Sequence, residues 1–165
     1  MLSPLLSEED IVLDLAAKGK RSALSAIAAR IARRSGVDDQ VVLSGLLYRE
    51  KLGSTGVGRG IAMPHALLDE ISSPIASLTR LAHPVDFHGP DNDPVDLLYA
   101  LIWPRSAISA FLPAFSKMCR LLWLPEVREK LRQARSTYEV MLILDAEQRP
   151  AMSSSSRPVT VGRAR

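Results

Sequence analysis

Apolar residues in the first third of the chain recur with the period of amphipathic helices. Within residues 18–34 they lie three or four positions apart and share one helical face: Leu24, Ile27, Ala28 and Ile31. Asp38 can cap a second helix that runs to about residue 51. Residues 1–15 are interpreted as a lead-in segment with a short apolar stretch at 11–13.

Three later segments have the pattern of β-strands. Residues 61–63 form a short apolar run that Pro64 and His65 end. Residues 75–81 alternate between apolar and polar positions, and residues 95–103 are almost continuously apolar, as in a strand buried on both faces. The middle of the chain is therefore predicted to supply a small sheet.

The last part of the pattern is helical again. Helices are predicted over residues 111–123, 125–135 and 138–144, the last capped by Ser136 or Thr137. The order helix, helix, strands, helices predicts an α/β fold, a single-domain sandwich in which helices flank a small mixed β-sheet.

Composition and charge separate this domain from a tail. We predict one folded domain over residues 1–147 and a disordered tail over 148–165, which is rich in Ser, Pro and Arg and has no period. The net charge of +3 comes from the tail, because all 18 acidic residues and only 17 of the 21 basic ones lie within the domain. A domain of net charge −1 with 5% aromatic residues overall does not favour nucleic-acid binding.

Other features point to a cytoplasmic protein. The single cysteine, Cys119, cannot form an internal disulfide, as expected in a reducing compartment. The sequence contains no run of about 18 uncharged apolar residues, so no transmembrane helix is predicted. The acidic start of the chain does not resemble a secretory signal.

Glycine is concentrated in residues 53–60, where it occupies four of eight positions. Such density indicates a backbone that turns tightly or approaches another group closely. A nucleotide-binding P-loop needs Lys followed by Ser or Thr where this chain has Arg59 and Gly60. A dinucleotide fingerprint would follow a strand, whereas this loop follows a helix. No cofactor is predicted.

His65 is the candidate reactive residue. Pro64 fixes the chain direction before it, and the small Ala66 leaves room around the ring. A neutral imidazole beside backbone N–H groups and a guanidinium suits nucleophilic attack on phosphate. The spacing alone leaves a catalytic role and a merely structural role equally open.

A metal site is not predicted. His83 and His88 lie near three aspartates in sequence, Asp86, Asp91 and Asp93. Aspartates in a turn rich in Pro and Gly usually bond to the local backbone.

A family resemblance adds to this interpretation. Residues 49–66, REKLGSTGVGRGIAMPHA, resemble the active-site signature of the mannitol/fructose-type IIA components of the phosphotransferase system, and the nitrogen-regulatory branch in particular. The similarity continues through residues 91–101 and 127–132 and covers about residues 5–147.

The resemblance implies a phosphohistidine carrier. His65 would accept phosphate from a small histidine phosphocarrier protein similar to HPr, with Arg49 as the charge partner of the phosphoryl group. The loop around the site would comprise Ser54, Thr55, Gly56 and Gly58. Members of the nitrogen branch regulate proteins such as sensor kinases or potassium-transport proteins by their phosphorylation state. Sugar-transport members instead pass the phosphate to a IIB domain.

One position departs from the family pattern. The family carries a second histidine near the start of the helix after the apolar strand, and that position is Phe111 here. A phenyl ring cannot donate a hydrogen bond to a phosphoryl oxygen. The departure leaves open both an impaired transfer and a phosphate-binding module that has lost transfer and only binds partners.

Overall fold

The computed structural model describes residues 5–148, which form a six-stranded mixed β-sheet covered by helices on both faces. In chain order the strands are β1 (Ile11–Leu15), β2 (Gly56–Gly58), β3 (Ile61–Ala62), β4 (His65–Leu68), β5 (Ile75–Val85) and β6 (Val95–Pro104). The helices are α1 (Lys20–Ser35), α2 (Asp39–Leu52), α3 (Phe111–Trp123), α4 (Pro125–Gln133) and α5 (Thr137–Ala146). Short 3-10 helices precede β1 at Glu8–Asp10 and α3 at Arg105–Ala110. The predicted tail lies outside the described residues, except for Gln148.

The sheet has the strand order β1-β5-β6-β3-β2, and β4 pairs with β6 beyond the end of β3. Only the β5–β6 and β2–β3 pairs are antiparallel. One core cluster packs α1 and α2 against the sheet, and a second cluster packs α3, α4 and α5 against its other face. The predicted sandwich of helices around a small mixed sheet is confirmed.

β6 is the central strand, and nine of its ten residues are buried. It pairs with β5 on one side and with β3 and β4 on the other. Its side chains enter both cores in turn, since Ile102 belongs to one cluster and Leu101 to the other. The continuous apolar run is therefore a consequence of burial on two faces, as predicted.

The predicted helix caps are present. The Asp38 carboxylate accepts a hydrogen bond from the amide of Gln40 at 2.8 Å, and α2 begins at the next residue. The Ser136 hydroxyl accepts from the amide of Glu139 at 3.1 Å and opens α5. Both bonds satisfy amides that the helix itself leaves unpaired.

Two interpretations are wrong: that residues 11–13 belong to a lead-in, and that His65 ends the short strand before it. Residues 11–13 belong to β1, which pairs in parallel with β5 and is more than a lead-in. His65 does not end the strand at Ile61–Ala62 but begins β4, with Leu101 of β6 as its partner. Pro64 lacks an amide hydrogen and interrupts the ladder, while its carbonyl accepts from Leu101 at 2.9 Å and keeps the chain beside β6.

The glycine loop contains a strand that was not predicted. β2 and β3 form a hairpin connected by Arg59 and Gly60, whose φ angles are 59° and 78°. Positive φ at both central residues is what a two-residue turn of type I′ requires. The loop therefore combines a tight turn with backbone pairing.

Helix α2 packs unusually closely on β4. A Cβ atom at Gly45 would lie 3.0 Å from the Cβ of Ala66 and 3.1 Å from Leu68 Cδ2. The absence of a side chain at Gly45 lets the helix approach the strand, which brings the end of α2 next to His65.

Within residues 5–148, no individual helix is both long and apolar enough to span a membrane. One helix pair meets the criterion by length and composition, Arg105–Trp123 with Pro125–Gln133, but it is bent by 79°.

Candidate functional site

His65 is held through both of its ring nitrogens. Nδ1 lies 2.9 Å from the Met63 carbonyl oxygen, and the Nε–H of Arg49 donates to Nε2 at 3.1 Å. A neutral imidazole has one donor nitrogen and one acceptor nitrogen. Both bonds can form together only when Nδ1 carries the proton, so the lone pair lies on Nε2.

Arg49 reaches His65 around the edge of the sheet. Because Ala66 faces α2, the side chain of His65 points to the opposite face. In the described sheet β4 pairs only with β6, and its other edge is open to the guanidinium. Arg49 Nη1 also donates to the Gly53 carbonyl at 2.9 Å, which ties the guanidinium to the start of the glycine loop.

The surroundings of His65 lower its pKa from the ordinary value of 6.5. Burial is the largest cause, because it disfavours the charged ring, and the positive charge of Arg49 acts in the same direction. The Met63 carbonyl and the charge of Glu50 oppose the shift without reversing it. The lowered pKa therefore favours the neutral imidazole at neutral pH.

Aromatic rings cover the side of His65 that faces α3. The centroids of Phe111 and Phe115 lie 5.4 Å and 4.9 Å from that of His65, and Phe115 meets it edge to face. Trp103 packs against Phe111 with a centroid distance of 5.9 Å. Phe111 thus lies beside His65, where it supplies apolar contact and no hydrogen-bond donor.

A cavity of about 460 Å³ opens over the imidazole. Its lining combines two arginines with mainly apolar or small residues: Ser44, Gly45, Tyr48, Arg49, Leu52, His65, Ala66, Leu67, Leu68, Arg105 and Phe111. Tyr48 and Leu52 are 67% and 68% exposed. Ile108 and Leu112, on the segment that carries Phe111, are exposed as well. His65 therefore lines an open, largely apolar surface that also carries two arginines.

The glycine-loop residues support the site without lining this cavity. The Ser54 hydroxyl donates to the Phe87 carbonyl and accepts from the Gly56 amide. Thr55 is buried and bonds through its amide and its hydroxyl to the carboxylate of Glu50. Gly58 lies against Asp91 and Trp123.

Sequence reasoning did not identify three contributors: the Met63 carbonyl, the Phe115 ring and the Glu50 carboxylate. Phe115 lies four residues after Phe111, and this spacing places both rings on one face of α3. Glu50 is adjacent to Arg49 in sequence, but nothing in the pattern indicates that it is buried.

The other two histidines lie away from this cavity. The side chain of His88 is exposed and contacts Asp86 at 2.9 Å, and His83 is also exposed. Among residues 5–148 no group of three or more His, Cys, Asp or Glu residues has the arrangement of a metal site.

The lowered pKa of His65 predicts a pH dependence of stability. Below 6.5 the unfolded chain takes up a proton that the folded site resists, so the folded state loses stability as the pH falls through 6.5 towards the lower folded pKa. Above 6.5 this contribution is fully present. Denaturant unfolding from pH 7.5 to 5 should show that His65→Ala loses less stability on acidification than the wild type. Parallel curves for the two proteins would contradict the lowered pKa.

Comparison with known proteins identifies one family. Residues 4–147 match the family model described as "Phosphoenolpyruvate-dependent sugar phosphotransferase system, EIIA 2". The chain is 35% identical over 143 residues to a nitrogen regulatory protein of Bradyrhizobium diazoefficiens, covering 87% of this chain and 94% of the relative. It is 37% identical over 134 residues to a nitrogen regulatory protein of Pseudomonas aeruginosa, covering 81% and 87%.

A solved structure has the same fold. The crystal structure of nitrogen regulatory protein IIA-Ntr from Neisseria meningitidis superposes with a TM-score of 0.84 at 32% identity. The match covers 87% of this chain and 98% of that one.

Proposed function

Because this chain belongs to the EIIA type-2 family of the phosphoenolpyruvate-dependent sugar phosphotransferase system, we propose that it is a phosphohistidine carrier of the nitrogen-related branch. His65 accepts a phosphoryl group from a histidine phosphocarrier protein similar to HPr, and the phosphorylation state controls which proteins the chain binds. The observation that carries this proposal is the pair of bonds to the His65 ring, which lines the open cavity: Nδ1 is held by the Met63 carbonyl, and the Nε2 lone pair accepts from Arg49.

The chemistry follows from this orientation. The Nε2 lone pair of His65 attacks the phosphorus of the donor phosphohistidine, and a new N–P bond forms as the donor N–P bond breaks. The proton stays on Nδ1, bonded to the Met63 carbonyl, and helps to disperse the positive charge that develops on the ring. The donor imidazole leaves with the electron pair of the broken bond.

Arg49 changes partner during this step. In the free protein its Nε–H occupies the Nε2 lone pair, so the guanidinium must move off the ring before attack. A guanidinium presents several N–H groups in one plane and can then bond two phosphoryl oxygens at once. Arg49 thereby protects the nucleophile in the free state and stabilises phosphate in the transferred state.

Arg49→Lys is expected to slow phosphate uptake. Lysine keeps the charge but loses the planar fork, and loss of one charge-assisted hydrogen bond of about 1.5 kcal/mol corresponds to about a tenfold lower rate. Quenched time courses of phosphate transfer from the labelled phosphocarrier measure this rate. Arg33→Lys, at an exposed position of α1, is the matched control and should transfer normally. Equal rates for Arg49→Lys and the wild type would exclude a phosphoryl contact.

The apolar surroundings of His65 explain how phosphorylation controls binding. Tyr48 and Leu52 form an exposed apolar rim that a partner protein can cover. A phosphoryl group adds roughly two negative charges in the middle of this surface, and burying them under an apolar partner is costly. A partner that binds the unphosphorylated rim is therefore released on phosphorylation.

The test is reconstitution of the phosphate pathway. The protein is incubated with phosphoenolpyruvate, enzyme I and the phosphocarrier, with omission of the phosphocarrier as the control. We expect acid-labile phosphate on the chain only in the complete mixture, and no onward transfer to a sugar-specific IIB domain. Efficient transfer to such a domain would instead support a sugar-transport role, and no uptake at all would support a binding module without transfer.

A further inference from the structure

Glu50 is a buried carboxylate that the transfer chemistry does not use directly. Its side chain is 6% exposed, although it follows Arg49 directly on the last turn of α2. A buried carboxylate is stable only when charges or hydrogen bonds compensate it. Glu50 obtains this compensation from the glycine loop and from α1.

The loop supplies two donors from one residue. The Thr55 amide donates to both carboxylate oxygens of Glu50, at 3.1 Å and 3.2 Å, and the Thr55 hydroxyl donates to Oε2. Lys20 at the start of α1 closes the network with an ion pair of 2.9 Å to Oε1. The same ammonium donates to the Phe87 carbonyl at 3.1 Å and lies over the Phe87 ring.

The bonds continue from Thr55 to the reactive ring. The Thr55 carbonyl accepts from the Met63 amide at 2.9 Å, and the Met63 carbonyl accepts from Nδ1 of His65. Hydrogen bonds linked through the backbones of Thr55 and Met63 therefore connect the carboxylate of Glu50 to the nitrogen of His65 that carries the proton. Arg49, one residue earlier on α2, bonds the other ring nitrogen directly.

We propose that Glu50 is a positioning residue for His65: it fixes Thr55 and, through it, the Met63 carbonyl, and so holds the imidazole in the single tautomer that leaves the lone pair on Nε2. This inference rests on the proposed transfer function, but its main prediction concerns the ring in the free protein. The end of α2 thus controls both nitrogens, one through the side chain of Arg49 and the other through the side chain of Glu50.

The geometry explains why a carboxylate is needed. It accepts the Thr55 amide, the Thr55 hydroxyl and the Lys20 ammonium at once, since two oxygens offer several lone pairs and no donor. In Glu50→Gln one oxygen becomes an NH₂ group that cannot accept from the hydroxyl or the ammonium. The loop then loses its fixed point, and the Met63 carbonyl selects the proton position on His65 less strongly, which leaves the Arg49 bond to Nε2 as the other determinant.

The tautomer of His65 is the readout that a merely structural role would not change. The chain has three histidines, so ¹⁵N spectra of the imidazole nitrogens can be assigned with His65→Ala. Above pH 7.5 the wild type should show His65 as one tautomer, protonated on Nδ1, with widely separated shifts for its two nitrogens. In Glu50→Gln these shifts should move towards each other, as expected for a mixture of tautomers.

Kinetics provide the second readout. The phosphate transfer rate of Glu50→Gln should fall about tenfold. This is the lower end of the loss seen when a metal-binding histidine loses the hydrogen bond that orients its ring. The apparent KM for the phosphocarrier should stay unchanged, because Glu50 is buried and does not line the cavity over His65. Glu70→Gln, at an exposed position, is the matched control and should leave both readouts unaltered.

Two substitutions of Thr55 test the same hydrogen bonds if Glu50→Gln does not fold. Thr55→Val removes the hydroxyl at constant shape, and Thr55→Ser restores it. We expect Thr55→Val to mix the tautomers of His65 and Thr55→Ser to recover the single one. An unmixed tautomer in both Glu50→Gln and Thr55→Val would overturn the inference, even if transfer were slower. If the wild type took up no phosphate, the transfer function would fail while the tautomer test remained decisive for Glu50.

Discussion

Replacing His65 by Ala is expected to abolish phosphate uptake from the phosphorylated carrier. The substitution removes Nε2, the nitrogen whose lone pair accepts from Arg49 in the free protein, and neither Arg49 nor the nearby phenyl rings can act as a nucleophile. His65 is only partly buried on the four-residue strand β4, so the variant should keep its fold. Labelled-phosphate uptake measures the loss, and circular dichroism checks the fold.

The chain offers matched controls for this substitution. His83 and His88 are exposed histidines that do not line the cavity over His65. His83→Ala and His88→Ala should take up phosphate at the wild-type rate. Undiminished labelling of His65→Ala would assign the phosphate to another histidine. Loss of labelling in His83→Ala or His88→Ala would do the same.

The second large effect is expected at Phe111, where a histidine should improve the carrier. The Phe111 ring lies 5.4 Å from the His65 ring between centroids, so an imidazole there could reach a phosphoryl group on Nε2. A hydrogen bond to a charged group contributes about 1.5–3 kcal/mol, which corresponds to roughly one to two orders of magnitude in rate or equilibrium. We expect Phe111→His to speed transfer or to lengthen the lifetime of phosphohistidine by up to that factor.

One time course of labelled phosphate on wild type and Phe111→His measures both quantities. Phe111→Leu is the matched control, because it keeps an apolar side chain and adds no donor. If Phe111→His and Phe111→Leu behave alike, the gain does not come from a hydrogen bond. If neither differs from the wild type, another donor such as Arg49 already supplies the contact.

The fold could be predicted from the spacing of apolar residues, because burial in the two core clusters requires that spacing. The predicted helix over residues 111–123 coincides with α3, and the long apolar run coincides with β6, since each buries a face that the pattern reveals. β1 and β2 were missed for one common reason, which differs from the reason for these successes. They are short, and their pairing with β5 and β3 is a tertiary effect that local pattern does not contain.

The geometry of the candidate site was less accessible to sequence reasoning. The glycine loop and the Pro64–His65 pair predict His65 as the candidate residue, but they do not indicate which ring nitrogen carries the lone pair. That choice depends on the Met63 carbonyl and on Arg49, which lies 16 residues earlier and meets His65 only because α2 packs on β4 at Gly45. The positions of Phe115 and Glu50 likewise depend on packing between separate elements.

The most direct test is to locate the phosphate on the wild-type protein. After incubation with phosphoenolpyruvate, enzyme I and the phosphocarrier, ³¹P and ¹⁵N spectra identify the modified atom. We predict one acid-labile phosphoryl group bonded to Nε2 of His65, with Nδ1 still protonated against the Met63 carbonyl. Phosphate on Nδ1, on His83 or His88, or in acid-stable form on Ser54 or Thr55 would contradict the account.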